Sequence, residues 1–400
     1  MLAIGLMSGT SLDGIDAAIV EINGVDEGTE VKLLHFATYS FTQNQISKIK
    51  NVLPPNAGST AEICSLNFEL GHLFADACKR VCKSAKIDIA NIDFIASHGL
   101  TVYHIPEVPE NNKVSENNNE SQLQRSTLQL GEPAIICEET GATVISNLRA
   151  RDMAVGGQGA PIVPYSEYVM YKSGDKVRLL LNIGGIANVT VMPKNNDFDK
   201  IVAFDTGPGN MIINEIANRF FGISYDKDGK AAARGSVNSE LLTNLMSHPY
   251  IKAPYPKTTG REMFGKDFID PLIAKYESRI SNEDFIATVT YFTAKSVAEN
   301  VRPFIKDGKT ELIVGGGGSF NPTLLKFLSE CLNDDEYLNG VENADGVEVL
   351  TQEDLGFSSD AKEAVAMVVI GNQTLHKKPS NVPSATGAKK SVPLGSITYY

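Results

Sequence analysis

Hydrophobic and polar positions alternate along the first twenty-odd residues in a way that predicts strands. LAIGLMSGTSLDGIDAAIVEI is two apolar runs separated by a turn of Gly, Ser, Thr and Asp, the signature of a β-hairpin with a small-residue tip. VKLLHFATYSF predicts a third strand. Over residues 58–84 the apolar residues Ile63, Leu66, Leu70, Leu73 and Phe74 recur at helical spacing. IDFIASHGLTVYH reads as a strand ending in polar residues, and Leu128–Asn147 returns to regular structure after a polar gap. The pattern then restarts. VRLLLNIGGIANVTVM is again strand, Gly-rich turn and strand, and IVAFDTGPGN is a strand ending in a second glycine turn. A helix over Met211–Phe221, a long helix over 283–305, and a strand, glycine turn and helix in ELIVGGGGSFNPTLLKFLSE complete it.

Two halves that each open on a hairpin with a small-residue tip predict an α/β chain with a duplicated core. The expected division is 1–150 and 151–400, leaving open whether the C-terminal segment returns to the first domain. Glu107–Arg125 and Asn333–Gly346 are rich in polar residues and read as surface insertions.

Composition narrows the class. The 400 residues carry 36 Lys and Arg against 48 Asp and Glu, a net charge of −12, which argues against broad binding to nucleic acid or anionic membranes. No run of 18 apolar residues occurs, and MLAIGLMSGT lacks the basic start of a signal peptide, so a soluble, cytoplasmic protein is expected. Five cysteines without CxxC pairs argue against a disulfide scaffold or a structural zinc site.

The chemistry is concentrated in four glycine turns: Ser8–Asp16, Asn182–Asn188, Asp205–Asn210 and Gly315–Asn321. Small residues let backbone N–H groups approach a phosphate chain closely. Any one such turn is ordinarily just a tight turn, and none fits the P-loop spacing or GxGxxG. Four of them at strand ends in a two-part chain are harder to read as punctuation. Asp152, in RARDMAVGGQGAP, is a candidate general base; the competing reading is an exposed loop Asp paired with Arg149 and Arg151.

These segments together resemble the anhydro-N-acetylmuramic acid kinase family: GLMSGTSLDGID, ASHGLT, LRARDMAVGGQGAPIVP, NIGGIANVT, FDTGPGN, YDKDG, KTTGRE, VGGGGSFNP, DAKEA and NVPSATGAKKSVPLG, in order through nearly the whole chain. The resemblance implies a two-domain, actin-like sugar-kinase fold with a ribonuclease H-like core, using ATP and Mg²⁺, and a homodimer. It implies that Asp152 activates water against the anomeric carbon of a 1,6-anhydro sugar while the departing oxygen accepts the γ-phosphate. By the same resemblance Gly9, Thr10, Ser11, Leu12, Asp13, Gly14, Ile15 and Asp16 form a phosphate loop. Gly184, Gly185, Asp205, Gly207, Gly209 and Asn210 line the nucleotide, as do Gly315, Gly316, Gly317 and Asn321. Asp13, Asp205 and Glu363 face the metal, and His98, Arg149 and Gln158 contact the sugar. Leu100 stands where the family usually has Gln. Three alternatives stay open: a levoglucosan kinase, a nucleotide-binding module without catalysis, and a kinase for a free hydroxyl. The lactyl carboxylate of the muramic acid sugar calls for a cation, for which Arg149, Arg151 and Arg261 are candidates.

Overall fold

The computed structural model describes residues 1–9, 11–56, 58–106, 123–255, 257–305, 308–334 and 344–400. Thr10, most of the Glu107–Arg125 insertion and most of Asn333–Gly346 therefore lie outside the described residues, as does the side chain of Arg261. The chain forms two compact units, one of Met1–Met170 with Asp360–Tyr400 and one of Tyr171–Ser359. The first crossing between them falls after Met170 rather than at residue 150, because the segment around Asp152 is hydrogen-bonded to the C-terminal residues Asn381 and Thr386.

In the first unit, β1 (Leu2–Ser8), β2 (Gly14–Asn23) and β3 (Glu30–Ser40) form an antiparallel meander. Parallel to β1 runs β4 (Phe94–Ile105), which also carries the antiparallel β5 (Ser126–Leu130). Next come β6 (Thr143–Ser146), parallel to β4, and β12 (Ser396–Thr398), antiparallel to β6. The order is β12-β6-β4-β1-β2-β3. Central β1 and β2 are buried on both faces and read as nearly continuous apolar runs, whereas edge strand β3 alternates. The helix Thr60–Ala85 starts at a capping box between Ser59 and Glu62 and sinks Leu66, Leu70 and Phe74 into the core beside Ile4 and Leu6.

The second unit repeats this plan. β7 (Val177–Ile183), β8 (Ile186–Met192) and β9 (Val202–Pro208) are the antiparallel meander, and β10 (Gly308–Gly315) and β11 (Ala344–Thr351) extend it in parallel from β7. Its order, β11-β10-β7-β8-β9, matches β6-β4-β1-β2-β3 strand for strand. The fold is thus the duplicated ribonuclease H-like core of actin-like ATPases and sugar kinases. The helix Asn282–Val301 is buried along most of its length, its Val297, Ala298 and Val301 packed on the sheet. Among the described residues no helix is long and apolar enough to cross a membrane.

Candidate active site

In the first unit the chemistry collects around the tip of the β1–β2 hairpin and the loop that follows β6. Leu12 anchors the tip by burying its side chain, while Ser11 and Asp13 stay exposed and bond to each other, Ser11 Oγ donating to Asp13 Oδ1 at 2.9 Å. Asp16 leaves β2 with its Oδ1 accepting from Thr38 Oγ1 at 2.6 Å. Partial burial, with Asp13, Glu363 and Asp360 adding like charge, pushes its pKa up to about 6. At the start of the helix Lys362–Leu375, successive residues diverge: Lys362 turns inward to a buried ion pair with Glu167 at 2.5 Å, and Glu363 faces solvent. Surrounding protein desolvates the Glu363 carboxyl and raises its pKa, with Lys362 and Arg149 pulling the other way.

Asp152 has no solvent exposure. Its Oδ1 accepts from Asn381 Nδ2 at 2.8 Å and Thr386 Oγ1 at 2.9 Å, and its Oδ2 accepts from the Gly159 amide at 2.9 Å. A carboxylate held by three donors is a charge the fold can bury. Around it, Gln158 N donates to Thr386 O and Lys389 N to Val155 O, so the GGQGAP loop and the C-terminal NVPSATGAKK segment form one knot. Arg125 Nη2 donates to the carbonyls of Gly156 and Gly157. The reading of Asp152 as an exposed loop residue paired with its neighbouring arginines does not match this surrounding. Arg151 is exposed, and Arg149 turns away to donate from Nε to His98 Nε2 at 2.9 Å and from Nη1 to Gly159 O at 2.8 Å.

In the second unit the two-residue tip of the β7–β8 hairpin supports the helix Asn210–Phe221. Gly209 N and Met211 N donate to Gly185 O, and Asn210 N donates to Gly184 O. The first amides of that helix, expected at a phosphate, are thus used to bind the hairpin tip. Gly207 approaches the helix Asn282–Val301 closely enough that a Cβ would meet Ser296 Oγ, a packing reason for its glycine. Asn321 is nearly buried and caps the helix Pro322–Leu332, its Oδ1 accepting from Leu324 N at 3.0 Å. Gly315, Gly316 and Gly317 do form the turn between β10 and that helix.

Asp205, in the middle of β9, is half-buried and braced from the KTTGRE loop. Its Oδ2 accepts from Thr258 Oγ1 and from Thr259 N, both at 2.9 Å. Its backbone N donates to Lys257 O, and Tyr250 Oη donates to its carbonyl. Lys257 Nζ donates to Tyr250 O at 2.8 Å and lies 4.5 Å from the centre of the Tyr250 ring. Burial brings the Lys257 pKa down to about 8 against the pull of Asp205. Among the described residues no group of three His, Cys, Asp or Glu side chains is arranged to hold a metal ion. A nucleotide-bound Mg²⁺, which keeps several waters and takes phosphate oxygens, needs no such protein cage.

The sequence model of anhydro-N-acetylmuramic acid kinases matches residues 1–400. The chain belongs to that family. The anhydro-N-acetylmuramic acid kinase of Bacillus cereus strain AH187 is 48% identical over 401 residues, covering 100% of this chain and 99% of the relative. That of Bacillus thuringiensis subsp. konkukian strain 97-27 is 47% identical with the same coverage. A ROK family glucokinase from Streptomyces griseus, solved with glucose and AMPPNP, aligns at 13% identity and a TM-score of 0.39 over 92% of this chain and 99% of that one, too distant to inform the site.

Among the residues expected at the sugar of this kinase family, Arg149 is half-buried and Gln158 exposed. His98 is 3% exposed, and both ring nitrogens engage protein groups, Nδ1 with Gly99 O at 2.9 Å and Nε2 with Arg149. It is thus not placed to touch a sugar. Asn381, Thr386, Arg125 and Lys257 were not singled out from sequence. The C-terminal NVPSATGA carries part of the family resemblance, but nothing in it signals that it encloses a residue more than 200 positions away.

Proposed function

We propose that the protein is an ATP-dependent kinase of anhydro-N-acetylmuramic acid. Water adds to the anomeric carbon, the bond from that carbon to the bridging O6 breaks, and O6 takes the γ-phosphoryl group. The products are N-acetylmuramic acid 6-phosphate and ADP. The observation that carries this reading is the family match along the full chain at 48% identity. The duplicated core and the carboxylates at its strand ends are consistent with it. The same reading makes the enzyme a cytoplasmic homodimer.

Phosphoryl transfer is mainly positioning and charge neutralisation. The exposed hairpin tip with Ser11 and Asp13, and the turn Gly315–Gly317, present backbone and small polar groups suited to a phosphate chain and a nucleoside. Asp13, Asp205 or Glu363 would hold Mg²⁺ directly or through water, and the ion would supply positive charge to the phosphates. Arg149 and Gln158 are the sugar-side residues.

For the general base, the family motif RARDMAVGGQGAP carries the assignment to Asp152. Its three donors, Asn381, Thr386 and Gly159 N, hold the carboxylate in one orientation. We assign Asp152 to water activation and keep Asp205 among the residues on the nucleotide side. ADP release from MgATP, with anhydro-N-acetylmuramic acid and separately with levoglucosan, tests both points. Turnover of the first sugar is expected, with Asp152→Asn folded and ligand-binding but slower by about 10³-fold or more. A folded Asp152→Asn that keeps near-wild-type turnover removes the base role from Asp152. Turnover of levoglucosan alone moves the protein to the other substrate.

A further inference from the structure

The first unit holds a half-buried cation without an anionic partner among the described residues. Arg149 forms no ion pair among the described residues; its bonded acceptors are the His98 ring and the Gly159 carbonyl, both uncharged. Glu363 acts on it only at longer range. A guanidinium removed from water and bonded only to neutral acceptors costs free energy unless an anion completes it. The two bonds come from Nε and Nη1, so the guanidinium plane is held at two points and Nη2 remains.

The acceptor is built with equal care. Gly99 has a φ of +74°, and a Cβ there would press on Leu130 O, so the His-Gly pair requires glycine. The resulting turn brings Gly99 O to 2.9 Å from His98 Nδ1. A carbonyl can only accept, so the proton sits on Nδ1 and Nε2 is left with its lone pair toward Arg149 Nε. Burial and the Arg149 charge hold the His98 pKa down at about 3, and burial brings Arg149 to about 10, so at neutral pH the ring is uncharged and the guanidinium charged.

We infer that His98 is a positioning residue: it acts as an obligately neutral acceptor that fixes Arg149 at Nε, so that Nη2 meets an anionic oxygen group of a ligand. That group is a carboxylate on the sugar or a phosphate of the nucleotide. The ligand side of this inference rests on the kinase reading above; the His98–Arg149 geometry does not.

Two measurements test it. In ¹⁵N-histidine NMR of the free protein, His98 should stay neutral and protonated on Nδ1 from pH 5 to 9, with its Nε2 resonance moving in Arg149→Met. A ring that titrates in that range, or carries its proton on Nε2, overturns the local arrangement whatever the enzyme acts on. Equilibrium binding is then measured separately for anhydro-N-acetylmuramic acid, levoglucosan and MgATP. His98→Leu should weaken the anion-bearing ligand about 10- to 100-fold, His98→Gln, which keeps an acceptor near the Nε2 position, should restore most of it, and kcat should change less than KM. In an Arg149→Met background His98→Leu should cost nothing further. Loss confined to the carboxylated sugar identifies the carboxylate; loss confined to MgATP identifies phosphate. Equal loss on all three ligands, or an undiminished His98→Leu effect in Arg149→Met, marks a general structural role and overturns the inference. If the wild type binds none of the three, the kinase reading and the ligand side of the inference fail together, while the NMR result still decides the local side.

Discussion

A Cβ on Gly157 would overlap Asp152 Oδ2, which makes this glycine a condition for burying the carboxylate. Gly157→Ala should therefore destabilise the protein by about 1–3 kcal/mol through overpacking and disrupt activity with it. Gly184→Ala is the contrast, because a Cβ there meets nothing closer than 3.7 Å, and it should stay within about 0.5 kcal/mol in thermal unfolding. Asp16 gives a pH test with a definite sign. Its pKa is about 6 when folded against an ordinary value of 3.8, so the folded protein binds the extra proton between these values. Its favourable contribution is complete below pH 3.8 and lost as pH rises through 6, leaving an ionised, partly desolvated carboxylate as a cost. Asp16→Asn should raise stability at pH 7 by about 1 kcal/mol after allowance for solvent screening, with the gain disappearing at low pH. Activity should fall in the same variant. Thermal midpoints across pH 3.5–8 check the sign, and the opposite trend would remove Asp16 from the acidic group at the hairpin tip.

At the scale of elements, the strands and their glycine turns were legible because a two-residue period and a Gly-Gly tip are local signals. The hairpins β1–β2 and β7–β8 and the long helix Asn282–Val301 fall where the apolar spacing predicts them. The role of each turn was not legible. The amides of Gly209 and Asn210 look in sequence like phosphate donors, yet they bind the carbonyls of Gly184 and Gly185. The C-terminal segment was opaque for the same reason: Asn381 and Thr386 find Asp152 only through folding. Replacing Asn381 by Leu leaves a buried carboxylate one donor short and should cost about 1–3 kcal/mol, read in chemical denaturation. The KTTGRE loop carries its own prediction. With Lys257 at about 8, kcat/KM should decline above that pH, and the decline should be absent in Lys257→Met.

At the scale of the whole molecule, the chain is discontinuous in one unit and continuous in the other. The first unit takes its last core helix, Lys362–Leu375, and its edge strand β12 from the C-terminal 41 residues of Asp360–Tyr400. The second is made of Tyr171–Ser359 alone and holds its own apolar clusters, one around Leu179, Val189 and Val297 and one around Ile216, Leu241 and Phe292. Expressed by itself, Tyr171–Ser359 should fold and melt cooperatively, while a chain ending at Ser359 should lose the first unit's transition. Calorimetry of the two fragments checks this, and a first unit that survives the deletion would show that the helix Lys362–Leu375 is dispensable to its core.

Local pattern by itself determined the α/β class, the duplication, the position of the glycine turns and, through ten ordered motifs, the family. All of these follow from spacing along the chain or from strings of adjacent residues. Only the tertiary structure decided which side chains act together. It placed Asp152 under two donors from more than 200 positions away beside the nearby Gly159 amide, turned Arg149 from its sequence neighbour Asp152 to His98, and set the first crossing between units at Met170. The physical reason is that burial and hydrogen-bond pairing are long-range properties. A carboxylate's accessibility depends on what the fold lays over it, and no stretch of flanking sequence carries that information.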